Sequence, residues 1–334
     1  MIVGGGPVGL YAAYYAGFRG LDTVLLESLP MLGGQIVTFY PESAIYDVPG
    51  FPQVRGAELV ERLTAQMSPF PIDVRLGEEV TEIVEGDEQH LLVRAQRTAD
   101  ANGDGQRLYR TRAVLIAAGI GSFSPQRLKE PASRYEGRGL HYYPLPTERV
   151  AGRDAFVLGG TERAVQLALR LVAQGARVTL VHRRDKLAAG AEMQRELEAS
   201  PVRFLPFHDL DALLGEDRVE RIRLIDRRGG GTLEEPADVV LPCYAFHADA
   251  RTLRRFGVRL EGDAVLVDSR MASDRPGIWA AGDGATYPGK VRVLAVDFGE
   301  ACIAVNNIAA TILPGAHVFP GYSSHRKGAA RRDG

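Results

Sequence analysis

The chain has 334 residues, 45% of them hydrophobic and 25% charged, and carries a formal net charge of −2. That length supports about two domains with cores of their own, and the composition excludes a disordered chain. With no net positive field the chain has no general affinity for nucleic acid. No run approaches the roughly 18 apolar residues of a membrane span, and no basic flank with apolar segment and cleavage site opens the sequence, so a cytoplasmic protein without membrane attachment is expected. Only Lys129, Lys186, Lys290 and Lys327 among the 40 basic residues are lysines, which reads as composition bias. Cys243 and Cys302 form neither a CxxC nor a ligand cluster, leaving no material for a disulfide framework or a metal site.

In chain order, Ile2-Val3 is followed by Gly4-Gly5-Gly6-Pro7-Val8-Gly9, a helical stretch from Leu10 to Gly17, and an apolar strand Thr23 to Leu26 closed by Glu27. This is a βαβ start. Gly4 permits the tight turn, Gly6 lets the backbone approach a pyrophosphate, Gly9 allows close helix packing, and the helix N-terminus offers N–H groups to phosphate. Glu27 can accept from ribose hydroxyls. A bare glycine-rich turn would account for the glycines alone; strand, helix and acid in register favour the dinucleotide fingerprint. The first strand, with three residues at most before the glycines, is shorter than usual.

Leu91 to Val93 and Ala113 to Ala117 read as further strands, separated by a polar, glycine-containing turn at Thr98 to Gly105. A second βαβ opens at Ala155 to Leu158, turns through Gly159-Gly160-Thr161-Glu162-Arg163-Ala164, continues as a helix to about Gln174 and returns through Val178 to Val181. His182-Arg183-Arg184-Asp185 follows that strand, where a nucleotide fold meets the adenosine ribose. Arginines there favour a 2′-phosphate, which they hold with two hydrogen bonds, over a free 2′-hydroxyl; NADPH is the natural reading, with a solvated basic strand end as the alternative. Strand candidates at Arg221 to Ile225 and Val239 to Leu241 precede Ile278-Trp279-Ala280-Ala281-Gly282-Asp283-Gly284, an apolar strand running into Gly-Asp. Such a late acid suits FAD, because Asp283 can accept from a ribityl hydroxyl while the helix that follows aims its N-terminus at a phosphate. The expected fold is α/β with two Rossmann-like domains, the second inserted in the first: residues 1–120 and 245–334 for FAD and 121–244 for NADPH, ending in a basic tail from Gly321.

On these residues the chain resembles the two-dinucleotide-fold flavoproteins, and among them the ferredoxin/flavodoxin NADP reductases of thioredoxin-reductase-like type. The resemblance spans nearly the whole chain. Beyond the glycine turn it rests on Leu32-Gly33-Gly34-Gln35, Tyr40-Pro41-Glu42, Ile45 to Pro52, Thr286-Tyr287-Pro288-Gly289-Lys290, Phe298-Gly299-Glu300-Ala301 and Ala304-Val305-Asn306-Asn307. It implies that Gly4, Gly6, Gly9, Glu27, Gly34, Gln35, Asp47 and Asp283 hold FAD. It also implies that Tyr40 stacks on one flavin face, and that Tyr322 with Ser323 stands where relatives bring an aromatic ring to the other. NADPH would lie on Gly159, Gly160, Thr161, His182, Arg183 and Arg184. Ferredoxin or flavodoxin is the implied acceptor and a homodimer the implied assembly.

The chain departs from the resemblance at one turn. Thr161 stands where relatives have glycine, Arg163 replaces a small serine, and Ala188 falls where relatives carry another arginine, so NADPH binding is expected to be weak, displaced or absent. The stretch matching the thioredoxin reductases' CxxC reads Gly139-Leu140-His141-Tyr142-Tyr143-Pro144. Electrons on the flavin would then leave directly, and no acid/base dyad or nucleophile is expected; His141 reads as a polar loop residue. Two other readings stay open: an NAD(P)H reductase of quinones or other small acceptors, and a flavin-binding partner protein that has lost turnover.

Overall fold

A computed structural model describes residues 1–39, 41–87, 89–97, 105–119, 121–244, 246–249, 251–322 and 324. The chain divides into two compact units, Met1–Phe123 with Ala248 onward, and Ser124–His247. The second unit is thus an insertion in the first.

The first unit is built on a parallel sheet in the order Ile278–Ala280, Val114–Ile116, Ile2–Val3, Thr23–Glu27, Ile72–Leu76. Its apolar strands are buried because parallel sheets are covered on both faces. The short first strand is central: Ile2 pairs with Leu25 on one side and Leu115 on the other, and Val3 with Leu26 and Ile116. The helix Pro7–Phe18 buries Val8, Leu10, Ala12, Ala13 and Ala16, since it packs between the sheet and the helices Gly56–Met67 and Leu294–Ile312. The strand order reverses between Ile2–Val3 and Val114–Ile116, which run parallel, and such a switch point opens a crevice at the strands' carboxyl ends.

The second unit repeats the plan in the order Arg203–Pro206, Arg177–His182, Asp154–Leu158, Val239–Pro242, with the amphipathic helix Glu162–Ala173 burying Ala164, Val165, Leu167, Ala168 and Leu171. Each unit adds an antiparallel meander: Glu78–Glu85, Leu91–Arg97 and Gln106–Thr111 in the first, and His208–Leu214, Arg221–Asp226 and Thr232–Pro236 in the second. Of the turn expected at Thr98 to Gly105, all but Gly105 lies outside the described residues, as does most of the tail from Gly321.

The stretch Gly139 to His141 is not the loop that its polarity suggests. It adds to the edge of the second sheet, Val240 N–H donating to the Gly139 carbonyl at 2.7 Å and His141 N–H to the Val240 carbonyl at 2.9 Å. Leu140 and Tyr142 are buried on either side. Burial, with the nearby Arg149 charge adding to it, lowers the His141 imidazole to about 4. Between the ordinary histidine value of about 6.5 and about 4 the unfolded chain binds a proton there and the folded chain does not, so stability is lost as pH falls through that window. Urea unfolding at pH 7 and pH 5 checks this: His141→Gln reduces the loss of stability between the two, and an unchanged loss contradicts it.

Candidate dinucleotide-binding sites

The carboxyl ends of four parallel strands of the first sheet line one cleft of about 300 Å³, a volume within the range of small-molecule sites. Val3, Gly4 and Gly6 come from the first strand, Glu27, Ser28 and Leu29 from the second, Ala117, Ala118 and Gly119 follow Val114–Ile116, and Ala281, Gly282 and Asp283 follow Ile278–Ala280. Gly34 and Gln35 close one side, Leu294 and Asp297 another.

The three fingerprint glycines answer to different neighbours. Gly4 has φ +106°, and a β-carbon on it would lie 2.5 Å from the Ala117 carbonyl oxygen. A β-carbon on Gly9 would lie 1.9 Å from the Gly4 carbonyl oxygen, so glycine there is what lets the helix start directly over the strand end. Gly6 differs: its φ is an ordinary −70°, and the nearest atom to a β-carbon is the Gly34 α-carbon at 4.0 Å. Nothing among the described residues requires glycine at 6. The space that its missing side chain leaves belongs to the cleft, which fits a group that must approach the backbone.

The helix Pro7–Phe18 begins without a side-chain cap and without an acid in its first turn. Its terminal N–H groups and positive dipole end are therefore left for an anion. Glu27 is 5% exposed and pins the glycine turn: Oε2 accepts from Gly5 N–H at 2.6 Å, and Oε1 from Leu29 N–H at 2.7 Å and from the Ser28 hydroxyl at 3.2 Å. Burial pushes its carboxyl above the ordinary range, and the N–H groups of Leu29 and Gly5 pull it back. A carboxylate offers about four acceptor sites, so a ribose hydroxyl can still be received.

Asp283 is half-buried in the lining. Asp47 is not part of it: this exposed carboxylate accepts from Leu294 N–H at 3.0 Å, so it caps the helix Leu294–Ile312 whose first turn reaches the cleft. Nor does the structure bring Tyr322 to this lining; its ring is exposed and meets Phe319 edge-on, with centroids 5.3 Å apart. Tyr40 and Ser323 lie outside the described residues.

The reading by residue type missed the buried network behind Asp283. The Lys290 ammonium donates to Asp297 Oδ1 at 2.8 Å, to Glu300 Oε1 at 2.5 Å and to the Gly282 carbonyl at 3.3 Å. Glu300 also accepts from the Tyr287 hydroxyl at 2.7 Å and from Gly282 N–H at 2.8 Å. The Gly-Asp turn is thereby tied to the last helix. One signal was available: Lys290 is a lysine in a chain that otherwise uses arginine almost throughout.

In the second unit, Gly159, Gly160 and Thr161 follow Asp154–Leu158 and His182-Arg183-Arg184 follow Arg177–His182, two adjacent parallel strands. A β-carbon on Gly160 would meet the His182 ring at 2.4 Å, which explains that pairing. Burial, then the charges of Arg183 and Arg184, lower the His182 imidazole. Both arginines are exposed, and among the described residues neither forms an ion pair. Thr161 is the N-cap of Glu162–Ala173, its hydroxyl accepting from Ala164 N–H at 3.4 Å, and Glu162 occupies the first turn. Ala188 lies beside this turn, its N–H donating to the Gly160 carbonyl at 2.7 Å. Arg163 turns back toward the Tyr142 carbonyl at 3.4 Å.

The model of the family described as pyridine nucleotide-disulphide oxidoreductase matches residues 1–299. The chain belongs to this family. It is 41% identical over 324 residues to a ferredoxin–NADP reductase of Frankia alni, covering 97% of this chain and 98% of that one. A ferredoxin–NADP reductase of Nocardioides sp. is 42% identical over 328 residues, covering 97% and 96%. Among solved structures, Lactococcus lactis thioredoxin reductase superposes with a TM-score of 0.58 at 24% identity over 93% of this chain and 97% of that one, a likeness of fold. Family and relatives imply use of FAD and NADPH. Both cysteines are free, Cys243 buried after Val239–Pro242 and Cys302 within Leu294–Ile312. No helix among the described residues is long and apolar enough to cross a membrane.

Two glycine substitutions separate packing from ligand clearance. Gly9→Ala costs about 3 kcal/mol or more of stability by overpacking. Gly6→Ala leaves apoprotein stability within about 0.5 kcal/mol and weakens FAD binding at least about 10-fold, or 1.4 kcal/mol. Denaturant unfolding and flavin titration of the two apoproteins check this; equal stability losses contradict it.

Proposed function

We propose that this protein is an NADPH-dependent flavoenzyme that passes electrons through FAD to ferredoxin or flavodoxin, working as a cytoplasmic homodimer. The observation that carries the reading is the first unit's cleft, where four strand ends and an uncapped helix converge on the space beside Gly6. Relatives named ferredoxin–NADP reductase, about 40% identical over almost the whole chain, supply the acceptor class.

Bound FAD supplies both hydride acceptance and one-electron release. The chain's own part is to hold and orient. The N–H groups opening Pro7–Phe18 hold the pyrophosphate, Glu27 receives the adenosine ribose, and Asp283, kept in place by the Lys290 network, receives a ribityl hydroxyl. Asp47 acts at one remove by capping the last helix. In the second unit Gly159, Gly160 and Thr161 hold the nucleotide phosphates, with His182 packed beneath, and Arg183 and Arg184 select the 2′-phosphate. Tyr40 and Tyr322 remain candidates for the flavin faces. Cys243 and Cys302 form no CxxC, so electrons held by a bound flavin would pass directly to the acceptor.

The second unit's turn favours one competing reading, a flavoprotein with weak or no NADPH turnover. Thr161 already satisfies one of the helix's N–H groups, and Glu162 sets a negative charge in the first turn, where the helix Pro7–Phe18 has none. Anaerobic mixing with NADPH decides between the two: the flavin is bleached and then passes electrons to ferredoxin, whereas a flavin that stays oxidised rules out the enzyme. Arg183→Ala raises the KM for NADPH about 10- to 100-fold, as expected for one charge-assisted hydrogen bond, and leaves that for NADH unchanged; equal losses contradict the 2′-phosphate assignment.

A further inference from the structure

The Lys290 network is unevenly served. Two buried carboxylates, Asp297 and Glu300, share a single ammonium, and their side chains and that of Lys290 are at most 5% exposed. Glu300 has three donors, from Tyr287, Lys290 and Gly282. Asp297 has only Lys290, on Oδ1, and among the described residues no donor serves its other oxygen. Asp297, unlike Glu300, also lines the cleft.

Two carboxylates and one ammonium surround Asp297. Asp283 faces it from the Gly-Asp turn, Glu300 from its own helix, and Lys290 and Tyr287 from the segment between. Asp47 holds the N–H of Leu294 at the helix start. On the packed helix Pro7–Phe18, Tyr11 meets Phe298, and Tyr15 faces Cys302 and Asn306. Burial, with the Asp283 and Glu300 charges, pushes the Asp297 carboxyl upward against the pull of Lys290.

With FAD placed as proposed above, Glu27 and the glycine turn take the adenosine end, so the redox ring lies toward Asp283 and the last helix. We propose that Asp297 takes up a proton when electrons enter the bound flavin, making it the group that couples flavin reduction to pH. Hydride transfer from NADPH brings two electrons and one proton, leaves NADP⁺, and gives the flavin one negative charge. The Asp297 carboxylate accepts one proton from the buffered bulk solvent and becomes a neutral acid, so the charge gained by the cleft falls from −1 to zero. A second anion near a carboxylate favours the acid's neutral form, and Asp297 has one donor where Glu300 has three.

The test uses the FAD-loaded full chain and three readouts of reduction at pH 8. Wild type takes up more protons per two electrons than Asp297→Asn, by up to one. Its midpoint potential falls more steeply with pH, by up to about 30 mV per unit, the two-electron equivalent of a tenfold change in proton concentration. Its reduced-minus-oxidised infrared spectrum gains a carboxylic-acid C=O band that Asp297→Asn lacks and Asp297→Glu retains at a shifted position. Should Asp297→Asn lose flavin, the shift of the band in Asp297→Glu decides. Absence of the band in flavin-loaded wild type, or identical proton uptake and slope in Asp297→Asn, overturns the proposal while leaving the flavoenzyme reading intact. Wild type that binds no FAD overturns that reading itself, and this inference with it.

Discussion

The whole first unit depends on one close approach, the Gly9 α-carbon seated against the Gly4 carbonyl oxygen. Only with no side chain at 9 can the helix begin directly above the end of a two-residue strand. That geometry leaves its first N–H groups pointing over the sheet's carboxyl edge. The same edge carries Glu27, Ala117 to Gly119 and Ala281 to Asp283, because all the strands of this sheet run parallel and end on one side. What a dinucleotide meets there follows from parallel strands, a reversal of strand order and the side chains missing at Gly4, Gly6 and Gly9.

The two glycine turns then diverge electrostatically. In the first unit the helix start has neither cap nor acid, and the nearest carboxylate, Glu27, is occupied in pinning the turn. In the second, Thr161 caps the helix and Glu162 follows it. Capping by threonine stabilises a helix by about 1 kcal/mol and removes a donor that an anion would use. The same fold thus presents one turn adapted to a tightly held ligand and one in which helix stability and ligand binding compete. That asymmetry suits a resident cofactor in one unit and an exchanging one in the other.

Much of this was legible in the chain because glycine and charge carry positional meaning. Gly4 and Gly9 could be assigned their roles in advance, since a turn with positive φ and a close helix crossing each exclude other residues. The strands Thr23–Glu27, Asp154–Leu158 and Arg177–His182 stand where apolar runs placed them. What could not be read depends on distant parts of the chain meeting. Asp47 and Leu294 are brought together only by the fold, so Asp47 read as a ligand residue although it serves a helix. The Lys290, Asp297 and Glu300 network is hidden for the same reason: one lysine and two acids near the C-terminus look like solvated charges until burial joins them. His141 read as a loop residue because backbone pairing to Val240 leaves no trace in side-chain polarity.

The claim on which the account rests is that the first unit's cleft holds FAD, and the released chromophore tests it directly. Denaturing the purified full-length protein and identifying the flavin in the supernatant should yield FAD at one molecule per chain. A colourless protein whose apo form takes up no FAD on reconstitution would contradict the account.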